Sequence, residues 1–173
     1  MKLYHVSDRP DLSIFVPREV PSSASGVTRH VVWAVDDDHL VNYLLPRECP
    51  RVAFYALPGS SADDITRFLN GVRDCHVVAI ESAWFERATT SPLWIYEFSP
   101  QNFESIDPGA GYFVSTETET AIACQQVDNP FKAILNRRAE VRLVDSLWPL
   151  QEAVTKSSLQ FSCIRMRNAQ PRK

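Results

Sequence analysis

A histidine, a pair of glutamates and a scatter of arginines carry most of the chemistry this chain could do. His5 sits inside "MKLYHVSD", a strand-like run with Ser7 two residues on. It is either a packed strand residue or the first polar group of a binding cleft. Glu117 and Glu119 lie in "STETET"; side chains two apart on a strand point the same way, so the two acids share either a solvent face or a cleft. Paired carboxylates in a cleft could orient a ribose hydroxyl or steady a developing cation. Arg165 and Arg167 share a face if "LQFSCIRMR" is a strand, and Arg47, Arg51 and Arg142 fall near strand ends. Arginine forks suit phosphate, and equally suit pairing with surface acids. "DDDH" at 36–39 could offer hard oxygens to a divalent cation, but three acids are also what a helix start favours.

Other chemistry is excluded by pattern. The chain has no phosphate-binding glycine loop, no dinucleotide fingerprint, no zinc-protease motif and no nucleophile elbow. Cys49, Cys75, Cys124 and Cys163 are too scattered for a zinc knuckle or a paired redox motif, and read as reduced packing residues. No metal is expected.

The elements that would position these groups alternate in type. Strands are expected at "LYHV", at "HVVWAV" (30–35), at "RVAFYAL" (51–57), at "HVVAIE" (76–81) and at "LWIYEF" (93–98). "GYFVSTETETAIACQQV" reads as one or two strands with a break near 115–117, and "AEVRLV" and "LQFSCIRMR" complete the set. Helices are expected from "DDDHLVNYLL", "SSADDITRFLNG" with Gly71 as its stop, "SAWFERA", "NPFKAILNRR" and "DSLWPLQEAVTKSS". Several strands follow one another without a helix, which disfavours a doubly wound sheet. The expected class is α+β, with mixed, mainly antiparallel sheets and short peripheral helices.

The 173 residues read as a single domain, 1–173, with a polar loop at 17–29, a second polar insert at 99–111 and a frayed tail at 168–173. Hydrophobic residues make up 45% and charged residues 23%, the ordinary globular range. A formal net charge of -3 argues against bulk nucleic-acid binding. No apolar run is long enough to span a bilayer and no leader pattern opens the chain, so a cytoplasmic location is expected and no membrane partner.

The order of "LYHVS", "VVWAVDDDHLVNYL" and "GYFVSTET" resembles ADP-ribosyltransferase-like domains of the histidine–aromatic–glutamate type, over residues 3–120. That resemblance implies an NAD-using transferase. His5 would hold the adenosine-side ribose with help from Ser7, and Trp33 or Tyr43 would stack on nicotinamide. Glu117 would be the catalytic carboxylate, with Glu119 as its rival. Val6 stands where such domains carry glycine. The alternative is a non-catalytic domain that holds a nucleotide or an RNA end through arginines such as Arg165. The whole chain is also similar to a family of uncharacterised bacterial proteins of about this length, through "YHVSD", "VVWAVDDDHLVNYLLPRECPRV", "IESAWFER", "GAGYFVS" and "SSLQFSCIRMRNA".

Overall fold

β-branched and aromatic residues recur through the strand-forming segments of this molecule. In the computed structural model, which describes residues 1–19 and 26–172, they form twelve strands among the described residues. The chain divides into two compact units, Met1–Leu40 with Leu93–Val127 and Val41–Pro92 with Asp128–Lys173.

In the first unit, β1 (Leu3–Ser7), β3 (Val32–Asp36), β6 (Leu93–Phe98), β7 (Glu104–Asp107), β8 (Tyr112–Ser115) and β10 (Ala123–Val127) make one sheet in the order β10-β6-β1-β3-β8-β7. Every pairing in it is antiparallel. A two-stranded ribbon, β2 (Ile14–Phe15) with β9 (Glu119–Thr120), supplies Phe15 to a core of Leu3, Val32, Ala34, Tyr96 and Phe98. Phe15 meets Tyr96 and Phe98 edge-on at 5.2 and 4.8 Å, a geometry aromatic quadrupoles favour. One face of the sheet is therefore roofed by the ribbon, and that face matters below.

The second unit holds a four-stranded sheet in the order β11-β5-β4-β12: β4 (Arg51–Tyr55), β5 (His76–Glu81), β11 (Ala139–Val144) and β12 (Gln160–Ile164). β11 runs parallel to β5 and the other pairings are antiparallel. Four short helices belong to this unit: α1 (Ala62–Leu69), α2 (Phe85–Thr90), α3 (Pro130–Asn136) and α4 (Trp148–Val154). α1 starts where its sequence says it should. Ser61 accepts a hydrogen bond from the Asp64 amide, and Asp63 and Asp64 sit in the positive first turn. Asn70 ends it in the left-handed conformation, and the Gly71 amide then bonds the Ile65 carbonyl. Ile65, Phe68 and Leu69 bury against Val52, Phe54, Val77 and Ala79.

The class is α+β with mainly antiparallel sheets, as the pattern of elements implied. Several local readings need correction. "DDDHLVNYLL" forms no α-helix: Asp36 closes β3 and only a 3₁₀ turn follows, Leu40–Tyr43. The insert at 99–111 contains β7, and "GYFVSTETETAIACQQV" folds as three strands. Within the 17–29 loop, Arg18 bridges Val31, while 20–25 lie outside the described residues. The expected frayed tail is tied down as far as Gln170, whose carbonyl accepts from Trp148 Nε1 at 2.6 Å. Its amide donates to Glu81 at 3.0 and 3.2 Å. Two of the four cysteines, Cys124 and Cys163, are exposed rather than packed, and none is in a disulfide. Among the described residues no helix is long and apolar enough to cross a membrane.

Candidate functional site

Alternation along β1 sorts the site residues before any distance is needed. Tyr4 pairs with Val35, so those two side chains share a face. Trp33, two residues from Val35, lies on that same face, whereas His5, next to Tyr4, points to the other. His5 meets Trp33 only through the backbone: its Nδ1 lies 2.9 Å from the Trp33 carbonyl. A carbonyl can only accept, so Nδ1 carries the proton. The His5 ring packs edge-on against Phe15 at 5.1 Å, under the ribbon. Trp33 instead meets Tyr112 at 5.6 Å, and its indole N–H is sealed from solvent without a partner.

Leu3, His5 and Ser7 share the roofed face. Ser7 is buried, and its Oγ accepts from the Arg9 amide at 3.2 Å. Val32 pairs with Ser115, which brings the Ser115 side chain to the same face. Ser115 is 1% exposed, and its hydroxyl donates to Glu119 Oε1 at 2.5 Å. The same hydroxyl oxygen accepts the Glu117 amide at 3.1 Å. Glu119 is itself only 6% exposed and pairs with Phe15 across the ribbon. Four polar side chains (His5, Ser7, Ser115 and Glu119) therefore occupy a layer otherwise made of Leu3, Phe15, Val32, Ala34, Tyr96 and Phe98.

Glu119 is the unusual member. A glutamate is rarely buried unless a cation or several donors meet it. Among the described residues no cation stands within ion-pair distance of it, and one hydroxyl is its only side-chain donor. Tyr96 completes the wall: its hydroxyl donates to the Arg9 carbonyl at 2.5 Å and accepts from the Leu12 amide at 3.2 Å. Burial pushes the Tyr96 phenol above its usual range and keeps it neutral.

The constellation expected from sequence does not assemble as drawn. Trp33 leaves the opposite side of the sheet from His5. Glu117 is exposed in the turn between β8 and β9, because Thr116–Thr118 break the strand and end the alternation that would have kept it beside Glu119. Tyr43 and Arg165 belong to the second unit. Tyr43 lies 5.7 Å beneath the Arg51 guanidinium, and Arg51 is buried with its N–H groups on the Asn42, Pro46 and Cys49 carbonyls. Arg165 does not extend β12; it turns left-handed (φ 55°) and faces Glu48 at 3.8 Å. Asn168 and Arg167 hold the same carboxylate at 2.8 and 3.2 Å, and together these groups lower the Glu48 pKa. Here the arginines answer an acid rather than presenting a fork for phosphate.

"DDDH" forms a dyad, not a cation cage. Asp36 Oδ1 accepts the His39 amide at 2.9 Å and lies 2.6 Å from His39 Nδ1. Gly111, at φ +67°, backs this pair so closely that a Cβ there would collide with the His39 ring. No group of three or more metal-ligating side chains exists among the described residues. The sequence signal for the Asp36–His39 contact was the i, i+3 spacing of a turn cap. For Ser115 and Glu119 the signal was a hydroxyl four residues ahead of an acid, which is weak alone.

The fold and the polar layer define an α+β protein with an antiparallel sheet, roofed by a short ribbon that buries one carboxylate. The chain belongs to the family of unknown function DUF6886, whose model matches residues 4–169. No curated protein and no solved structure matches it. The resemblance to ADP-ribosyltransferases is thus unsupported by the comparisons, and the opposed directions of His5 and Trp33 count against it.

Proposed function

We propose that the protein is a small-ligand binding domain, and that the roofed face of its six-stranded sheet takes the ribose of a nucleotide. The observation that supports this is the buried Glu119 carboxylate, with one hydroxyl as its side-chain donor and no ion pair to a cation among the described residues. A carboxylate in that state is short of donors, and a vicinal diol supplies two. Hydrogen bonds to a charged acceptor are worth about 1.5–3 kcal/mol each, enough to orient a sugar. His5 and Ser7 lie on the same face of the sheet and add polar groups to it. Glu119, not Glu117, is the acid that counts in this reading.

Thermal shift and calorimetric titration with AMP, ADP-ribose and NAD test it. A ligand present at a hundred times its Kd stabilises the fold by about 2.7 kcal/mol, well within reach of a melting curve. Glu119→Gln keeps a carbonyl acceptor for Ser115 and removes the charge, so it should stay folded and lose the shift. The absence of any nucleotide response in the wild type would remove the reading. Release of nicotinamide from NAD, measured in the same samples, separates binding from group transfer.

A further inference from the structure

Away from that face, α2 and α3 leave an apolar notch uncovered. Phe85 opens α2 and is 47% exposed; its ring meets Phe131 of α3 at 5.7 Å and 74°. Leu135 lies one turn on from Phe131 and is 57% exposed, so three apolar side chains are contiguous. Single exposed hydrophobes are ordinary, but a continuous group rimmed by polar residues marks an interaction surface. The rim here has one dominant sign. Lys132 lies on α3 and Arg138 follows its last turn, both exposed. Glu86 is the one acid on the two helices, in a chain whose acids outnumber its basic residues overall, 21 to 18. Lys132 and Arg138 make no ion pair among the described residues.

We propose that this surface docks an acidic amphipathic helix from a partner protein. The charge rim selects acids, and the notch selects aliphatic anchors spaced a helical turn apart. A nucleic acid fits less well. The perpendicular rings form a notch rather than a flat stacking platform, and Leu135 offers nothing to a base.

The test uses the full chain and a short fluorescent peptide with leucines on one helical face and glutamates beside them. A scrambled peptide of the same composition, a uridylate oligomer and phosphatidylglycerol vesicles serve as the other arms. The patterned peptide should bind and weaken with salt. Phe85→Ser and Lys132→Glu should each reduce its affinity about tenfold, with unchanged melting temperature. Leu135→Ser should act in the same direction. Equal binding of the scrambled peptide, tighter binding of the oligomer or vesicles, or indifference to all three substitutions would overturn the proposal.

Discussion

Each compact unit buries one glutamate, and the two are treated in opposite ways. Glu81 in the second unit is 1% exposed, and its carboxylate accepts the Leu147 amide at 3.2 Å and the Gln170 amide at 3.0 Å. Both donors are backbone groups at element ends, so this acid staples the start of α4 and the C-terminal segment onto the end of β5. Glu119 in the first unit is nearly as buried but has one side-chain hydroxyl. A buried charge must be compensated, and the compensation shows its purpose. Glu81 is saturated by its own chain and reads as structural. Glu119 is left with capacity to accept, which is what a binding group needs before its ligand arrives.

Substitutions can break that contrast. Glu81→Ala should have the largest effect on stability, about 2–4 kcal/mol of unfolding free energy from urea titration, because it strands two amide donors at once. Ser115→Ala should cost about 1–3 kcal/mol, by removing the one side-chain donor to a buried carboxylate. Glu119→Gln should change stability by less than about 1 kcal/mol, since the amide oxygen still accepts from Ser115. If Glu119→Gln proved as damaging as Glu81→Ala, both acids would be structural and the contrast would fail.

Smaller effects sharpen the picture in the second unit. Glu48 is held below its ordinary value, first by the Asn168 amide and then by Arg165 and Arg167. A depressed carboxylate contributes stability that is present above its unfolded value near 4.5 and lost as pH falls through its folded value. Its side chain is 42% exposed, so solvent screens the gain to a few tenths of a kcal/mol. Glu48→Gln should therefore lower stability slightly at neutral pH and not at all in acid, as read from urea midpoints across pH. Cys49 gives a check on burial itself. Desolvation pushes its thiol up to about 12, so it should resist a thiol reagent until the chain unfolds, while exposed Cys124 reacts at once. Mass spectrometry of the labelled native protein distinguishes the two.

The long periodic elements were legible before the structure. β5 and β6 match the runs read at 76–81 and 93–98, and α1 follows its serine cap and acidic first turn. What was hidden is local. β2 and β9 are two residues each, too short for alternation to register. Asp36–Asp38 resembled a helix start because acids suit one, but Asp36 closes a strand and uses its carboxylate on His39. In the site, His5 was legible as a strand histidine, and the choice between Glu117 and Glu119 was not. It turns on a break at Thr116–Thr118 that sends neighbouring acids to different environments, and only tertiary packing of the ribbon decides that.

If Glu119 receives a ribose diol, calorimetric titration of AMP against its 2′,3′-dideoxy counterpart will show it. The wild type should bind AMP and bind the dideoxy compound at least about tenfold more weakly, and Glu119→Gln should lose the difference. Equal affinity of the wild type for both compounds, or no heat with either, would contradict it.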